Sequence, residues 1–101
     1  MVMTWRLYKL ARPGDWHQSE FFEAETPLEL HLRALQALAG MHLDRPFVIW
    51  LEAQIGERWS LIGRLPQCYE EAAEVLDEKA TQFMTVALLR KNRHDARRSN
   101  R

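Results

Sequence analysis

Covalent chemistry in this chain would have to come from its histidines, its cysteine or its carboxylates. The four histidines, His17, His31, His42 and His94, are scattered, and no pair of them stands at the spacing of a zinc site. Cys68 has no second thiol with which to pair or to hold a metal. It falls in the first turn of an expected helix, where a thiolate is favoured, but its apolar phase beside Leu65 and Tyr69 points to a buried, inert thiol. None of the four glycines belongs to a phosphate-cradling loop, and no serine sits in a nucleophile elbow. The sequence therefore offers no catalytic residue, no cofactor-binding residue and no metal ligand, and it reads as a protein that binds and does not catalyse.

The carboxylates are the exception to this scatter. The segment YEEAAEVLDE, residues 69 to 78, holds five of them, Glu70, Glu71, Glu74, Asp77 and Glu78, and no base. At about 100° per residue all five fall within an arc of roughly 120°, opposite Cys68, Tyr69, Ala72, Ala73, Leu76 and Phe83. Glu70 and Glu71 lie in the first helical turn, where the helix dipole favours negative charge by about 0.3–1 kcal/mol each. Glu74 instead faces like charges three and four residues away, each contact costing about 0.2–0.5 kcal/mol, while Lys79 turns toward the apolar side. Such a row can be a plain solvated face. It can also dock a basic patch on a protein partner, receive the chain's own basic end or that of a second subunit, or imitate a line of phosphates.

The charges that could answer it are at the end of the chain. From residue 90 to 101 there are six bases and one acid, against eight bases and thirteen acids in residues 1 to 89, so a formal net charge of zero hides an acidic body with a basic tail. The composition of residues 92–101 is that of a disordered arm appended to a single domain of residues 1–91. Phosphate contact through Arg97 and Arg98 would show as steep salt dependence.

These residues need elements to hold them. Residues 4–12 read as a strand ending at Pro13-Gly14-Asp15, and residues 19–25 as a second strand. Thr26-Pro27-Leu28-Glu29 carries the signature of a capping box, so a helix starts there and runs to about Ala39, with Gly40 placed to end it in the left-handed conformation. Residues 46–54 and 58–65 flank Ile55-Gly56-Glu57 as a hairpin. Pro66 opens a second helix that, lacking Gly or Pro as far as Arg93, is expected to reach about Lys91; an extra C-terminal strand over residues 84–90 is the alternative. The order ββαββα implies an α+β two-layer sandwich, a four-stranded, mainly antiparallel sheet with two helices on one face. Gly14/Trp16 and Gly56/Trp59, with Pro27 and Pro66, faintly echo one another as two ββα units, although the spacings differ.

Three surfaces follow from this frame. The first helix is apolar over more than half its circumference, which asks for two neighbours, and His31 lies packed within that arc. The segment Phe83, Met84, Ala87, Leu88 and Leu89 becomes apolar almost all round, which predicts burial against a partner helix in a homodimer. On the sheet, strict alternation sends Phe47, Ile49, Leu51, Ala53, Trp59 and Leu61 to the core. It leaves Val48, Trp50, Glu52, Arg58, Ser60, Ile62 and Arg64, with Arg6 and Tyr8, on the open face. Arg6, Tyr8, Trp50 and Arg58, aided by Arg97 and Arg98, could stack on bases and grip phosphates, although no RNP1 segment, GXXG loop or helix-turn-helix pattern accompanies them. No apolar run reaches the roughly 20 residues of a membrane helix, and no secretory signal opens the chain, so the expected setting is the cytoplasm. The function this predicts is a small binding or regulatory protein acting through protein–protein contacts, with a nucleic-acid-binding regulator as the alternative.

Overall fold

The computed structural model describes residues 2–10, 18–41 and 48–99. Its elements are β1 (Met3–Leu10), β2 (Gln18–Ala24), α1 (Pro27–Ala39), β3 (Val48–Ile55), β4 (Arg58–Leu65) and α2 (Tyr69–Ser99). The strands form one sheet in the order β2-β1-β3-β4, antiparallel at every step, so the α+β fold with order ββαββα is as the periodicities require. The first strand of each hairpin lies in the middle and the second at an edge. Two ββα units related by a two-fold axis between β1 and β3 would give this same order. The expected turn at Pro13-Gly14-Asp15, and Phe47, lie outside the described residues.

The core lies between the sheet and the helices. Alternate residues Met3, Trp5 and Leu7 of β1 and Ile49, Leu51, Ala53 and Ile55 of β3 are buried there, together with Leu30, Ala34 and Leu38 of α1 and Ala72, Leu76, Phe83, Met84 and Ala87 of α2. Each large side chain among them contributes about 1.5–3 kcal/mol by leaving water. Because the strands alternate with period two and the helices repeat every three to four residues, one face of each element meets in a single cluster.

Helix α1 starts as its cap residues dictate. Thr26 Oγ1 accepts from the Glu29 backbone N–H at 3.2 Å and Pro27 occupies the first turn. Gly40 does end the helix, but in the right-handed region at φ −84°, not the left-handed one expected. Its N–H donates to the Ala37 carbonyl at 3.2 Å, and Met41 N–H donates to the Leu38 carbonyl at 3.0 Å.

Helix α2 departs from expectation at both ends. It begins at Tyr69, with the Ala72 N–H donating to the Cys68 carbonyl at 2.9 Å, so Pro66 lies in the connection and Cys68 just before the helix. It then continues past Lys91 to Ser99, where the charge pattern had suggested a disordered arm and the alternative reading a strand over residues 84–90. The β3–β4 hairpin explains the extra length. A Cβ on Gly63 would stand 2.7 Å from the Phe83 ring, and one on Gly56, the turn residue at φ +64°, would stand 2.5 Å from the His94 imidazole. The helix thus lies along the hairpin at least from Gly63 to Gly56. Between these points Arg90 Nη1 donates to Ser60 Oγ at 2.7 Å and to the Leu61 carbonyl, which also occupies part of the exposed edge of β4. Residues 95–99 carry the helix on with no breaker, and their bases suit the negative end of its dipole.

Lying flat on the sheet also changes the role of the apolar segment. Phe83, Met84 and Ala87 are buried in the chain's own core and Leu88 packs against it, so these four cannot form a dimer seam without leaving the fold; Leu89, 55% exposed, is the one that faces water.

Candidate interaction surfaces

The acidic row is presented as a row. Glu70, Glu71, Glu74, Asp77 and Glu78 are all exposed on α2. Asp77 Oδ1 lies 3.9 Å from His31 Nδ1 of α1, and among the described residues Glu70, Glu71, Glu74 and Glu78 have no cation against them. His31 is half-buried, as its place among apolar neighbours implies, and its approach to Asp77 marks where the two helices adjoin. Lys79 is exposed and does not fold under the apolar side.

Within a turn of His31, on the outer side of α1, Leu28 and Leu32 are 66% and 51% exposed. Sequence reasoning saw that α1 was too apolar for one neighbour but did not single out these two. The signal was present in their i, i+4 spacing on the side away from Leu30, Ala34 and Leu38. The outer side of the helix layer thus sets exposed leucines beside exposed carboxylates.

The far half of α2 carries the opposite sign. Arg93 and Arg97 are exposed, Lys91 is half-buried and Arg90 is held against β4. With Glu70 and Glu71 in its first turn and bases in its last turns, the helix is charged in the sense its dipole favours at both ends.

The open face of the sheet differs from the expected one on β4. Leu51 pairs with Gly63 and Glu52 with Leu61, leaving Ile62 as the extra residue of a bulge. One extra residue inverts the alternation, so Arg58 and Ser60 turn to the helix side while Trp59 and Leu61 come to the open face. Ile62 packs against the core. Of the expected nucleic-acid set, the structure brings Arg6, Tyr8 and Trp50 together on this face; Arg58 is on the other side, Arg97 is on α2, and the Arg98 side chain lies outside the described residues.

Arg6 and Tyr8 converge on Glu52, in register with β1 across the β1–β3 pairing. Arg6 Nε donates to Glu52 Oε1 at 2.7 Å, Nη2 stands 2.6 Å from the same oxygen, and Tyr8 Oη donates to Oε2 at 3.1 Å. The guanidinium is 4.4 Å from the centroid of Trp59 and 5.2 Å from that of Tyr8, and the Phe21 ring lies 5.9 Å from Trp59. Tyr8 is 7% exposed; burial, then the Glu52 charge and its hydrogen bond, push the phenol up to about 12, with Arg6 acting in the opposite direction. Arg64 stands 5.9 Å from the centroid of Trp50. The face is therefore an interlocked polar cluster roofed by aromatic rings, with the Arg6 charge already matched.

Cys68, expected to be buried, is exposed, because it precedes the helix instead of lying within its apolar phase. It borders an open cleft of about 610 Å³ with Arg64, Glu71 and Lys79. Among the described residues no three His, Cys, Asp or Glu side chains come close enough to share a metal, and no helix is long and apolar enough to cross a membrane. No protein-family model matches this chain, and no curated protein or solved structure resembles it at a significant level.

Proposed function

We propose that this chain is a small, non-enzymatic regulatory protein of the cytoplasm that works through protein–protein contacts made by the outer side of its helix layer. The observation that carries this reading is the row of Glu70, Glu71, Glu74 and Glu78, exposed on α2 and with no cation against them among the described residues. Their mutual repulsion costs about 0.2–0.5 kcal/mol per neighbouring pair, and the dipole offsets it only in the first turn. A partner that brings bases removes this cost. Charges placed so would set association rate and salt dependence more than final affinity. The exposed leucines of α1 beside them supply apolar area. A lone exposed thiol at Cys68 suits a reducing compartment.

The test is capture from cell extract, with each retained protein then purified and titrated against the wild type and against E74K/D77K. Loss of binding by about tenfold in the variant is expected for rim charges acting together; equal binding by both forms would refute the reading. A second reading, nucleic-acid binding, is favoured by Arg93 and Arg97, which stand about one turn apart and exposed. It draws less from the sheet, where Arg6 is matched by Glu52 and Arg58 is on the other side. A gel shift whose salt slope survives removal of residues 92–101 would exclude that version.

A further inference from the structure

The outer side of α2 is self-complementary in charge. At about 100° per residue, Glu71, Val75, Glu78, Gln82, Leu89 and Arg93 fall within an arc of about 60° that points away from the core stripe of Ala72, Leu76, Phe83 and Ala87. All six are exposed except Val75, which is half-buried. Their spacing of three, four and seven residues is that of a seam along which a second helix can lie. Glu71 and Glu78 stand in the first half of this seam and Arg93 in the second half, so two copies set parallel would oppose like charges and two copies set antiparallel would oppose unlike ones.

The geometry points to a second copy of this chain as the partner, packed antiparallel along the outer stripe of α2. This inference rests on the reading of the acidic row as a protein-binding surface and names its occupant. The register follows from the charges. Glu78 and Arg93, both in the stripe, share a midpoint between Thr85 and Val86, so a two-fold axis there sets the Glu78 of each copy against the Arg93 of the other. The same axis sets Leu89 opposite Gln82 of the other copy, so the 55% exposed leucine is covered at the centre of the contact. Phe83, Met84 and Ala87 stay in their own core, so the contact needs no opening of the fold. A formal net charge of zero means that two copies approach without overall repulsion.

Sedimentation equilibrium decides this. The wild type is expected to show twice its 12.0 kDa mass at low salt and to shift toward the monomer as salt rises. E78K and R93E should each dimerise about tenfold or more weakly, while an equimolar mixture of the two variants, in which every opposed pair is again unlike, should recover the dimer. Recovery in the mixture also shows that both variants are folded. A wild type that stays at 12.0 kDa at low salt overturns the inference, as does a dimer indifferent to both charge reversals or a mixture that does not recover. A monomer whose captured partner is nevertheless lost in E74K/D77K would overturn the second-copy partner while leaving the protein-binding reading in place.

Discussion

Replacing Glu52 by glutamine keeps its shape and removes its charge, and the consequence can be worked from the open face of the sheet. Glu52 meets Arg6 at 2.6 and 2.7 Å and Tyr8 at 3.1 Å, and the Arg6 and Glu52 side chains are only 16% and 11% exposed. Breaking a buried ion pair by removing one partner costs about 3–5 kcal/mol, because the other charge is left uncompensated. Here the guanidinium keeps the Trp59 and Tyr8 rings and some solvent, which lowers the figure to about 2–3 kcal/mol. In a domain of this size each kcal/mol moves the melting temperature by about 4–8 °C, so E52Q should melt about 10–20 °C below the wild type. Urea unfolding followed by tryptophan fluorescence and by far-ultraviolet circular dichroism, with coincident transitions, gives the free energy directly. R6M alone should be destabilising too, because it orphans Glu52, whereas R6M/E52Q should be less destabilised than the sum of the two, with a coupling of about 1–2 kcal/mol. An E52Q protein within about 0.5 kcal/mol of the wild type, or strict additivity in the cycle, would refute the view that this cluster holds the open face together.

Tyr8 makes the same cluster pH-sensitive: its phenol lies at about 12 in the folded chain against 10.0 when unperturbed, so its contribution to stability is complete below pH 10 and is lost as pH rises toward 12. In a Y69F background, phenolate absorbance should report Tyr8 titrating near 12, and Y8F should lack this part of the alkaline loss; titration of Tyr8 near 10 in the folded protein would count against it. Gly63 lies under the Phe83 ring, where a Cβ would come within 2.7 Å, so G63A should cost about 1–3 kcal/mol by overpacking. Denaturant titration should find part of that cost returned in G63A/F83L, and a neutral G63A would mean that the ring is free to step aside.

The element order was legible because each element carries its own local signal. Thr26 and Pro27 mark the start of α1 whatever surrounds them, and Gly56 marks the hairpin because only a residue tolerant of φ +64° sits easily there. The faces of β4 were not legible. The extra residue Ile62 is a property of pairing with β3, and nothing in RWSLIGRL itself says that its alternation breaks, so Trp59 and Arg58 were exchanged between the two sides. The end of α2 was hidden for a similar reason: residues 92–94 look like a solvated arm until the hairpin tip at Gly56 is placed beneath His94. Phe83, Met84 and Ala87 looked unsheltered only while the helix was imagined to project beyond the sheet.

The same geometry bears on where binding can occur. A four-stranded sheet with helices on one side leaves its other side to water, and such a face usually invites a partner or a second layer. In this chain Arg6, Tyr8 and Glu52 satisfy one another beneath Trp59 and Phe21, so the open face supplies part of its own cover and its cation is neutralised. A phosphate or carboxylate arriving there would have to displace Glu52 from Arg6 and expose Tyr8, a loss of the same few kcal/mol that E52Q measures. The carboxylates of α2 face no such competitor, since among the described residues no base is against Glu70, Glu71, Glu74 or Glu78. Charge that is already matched resists a partner and charge that is unmatched attracts one, which favours the helix layer over the sheet as the expected site of binding.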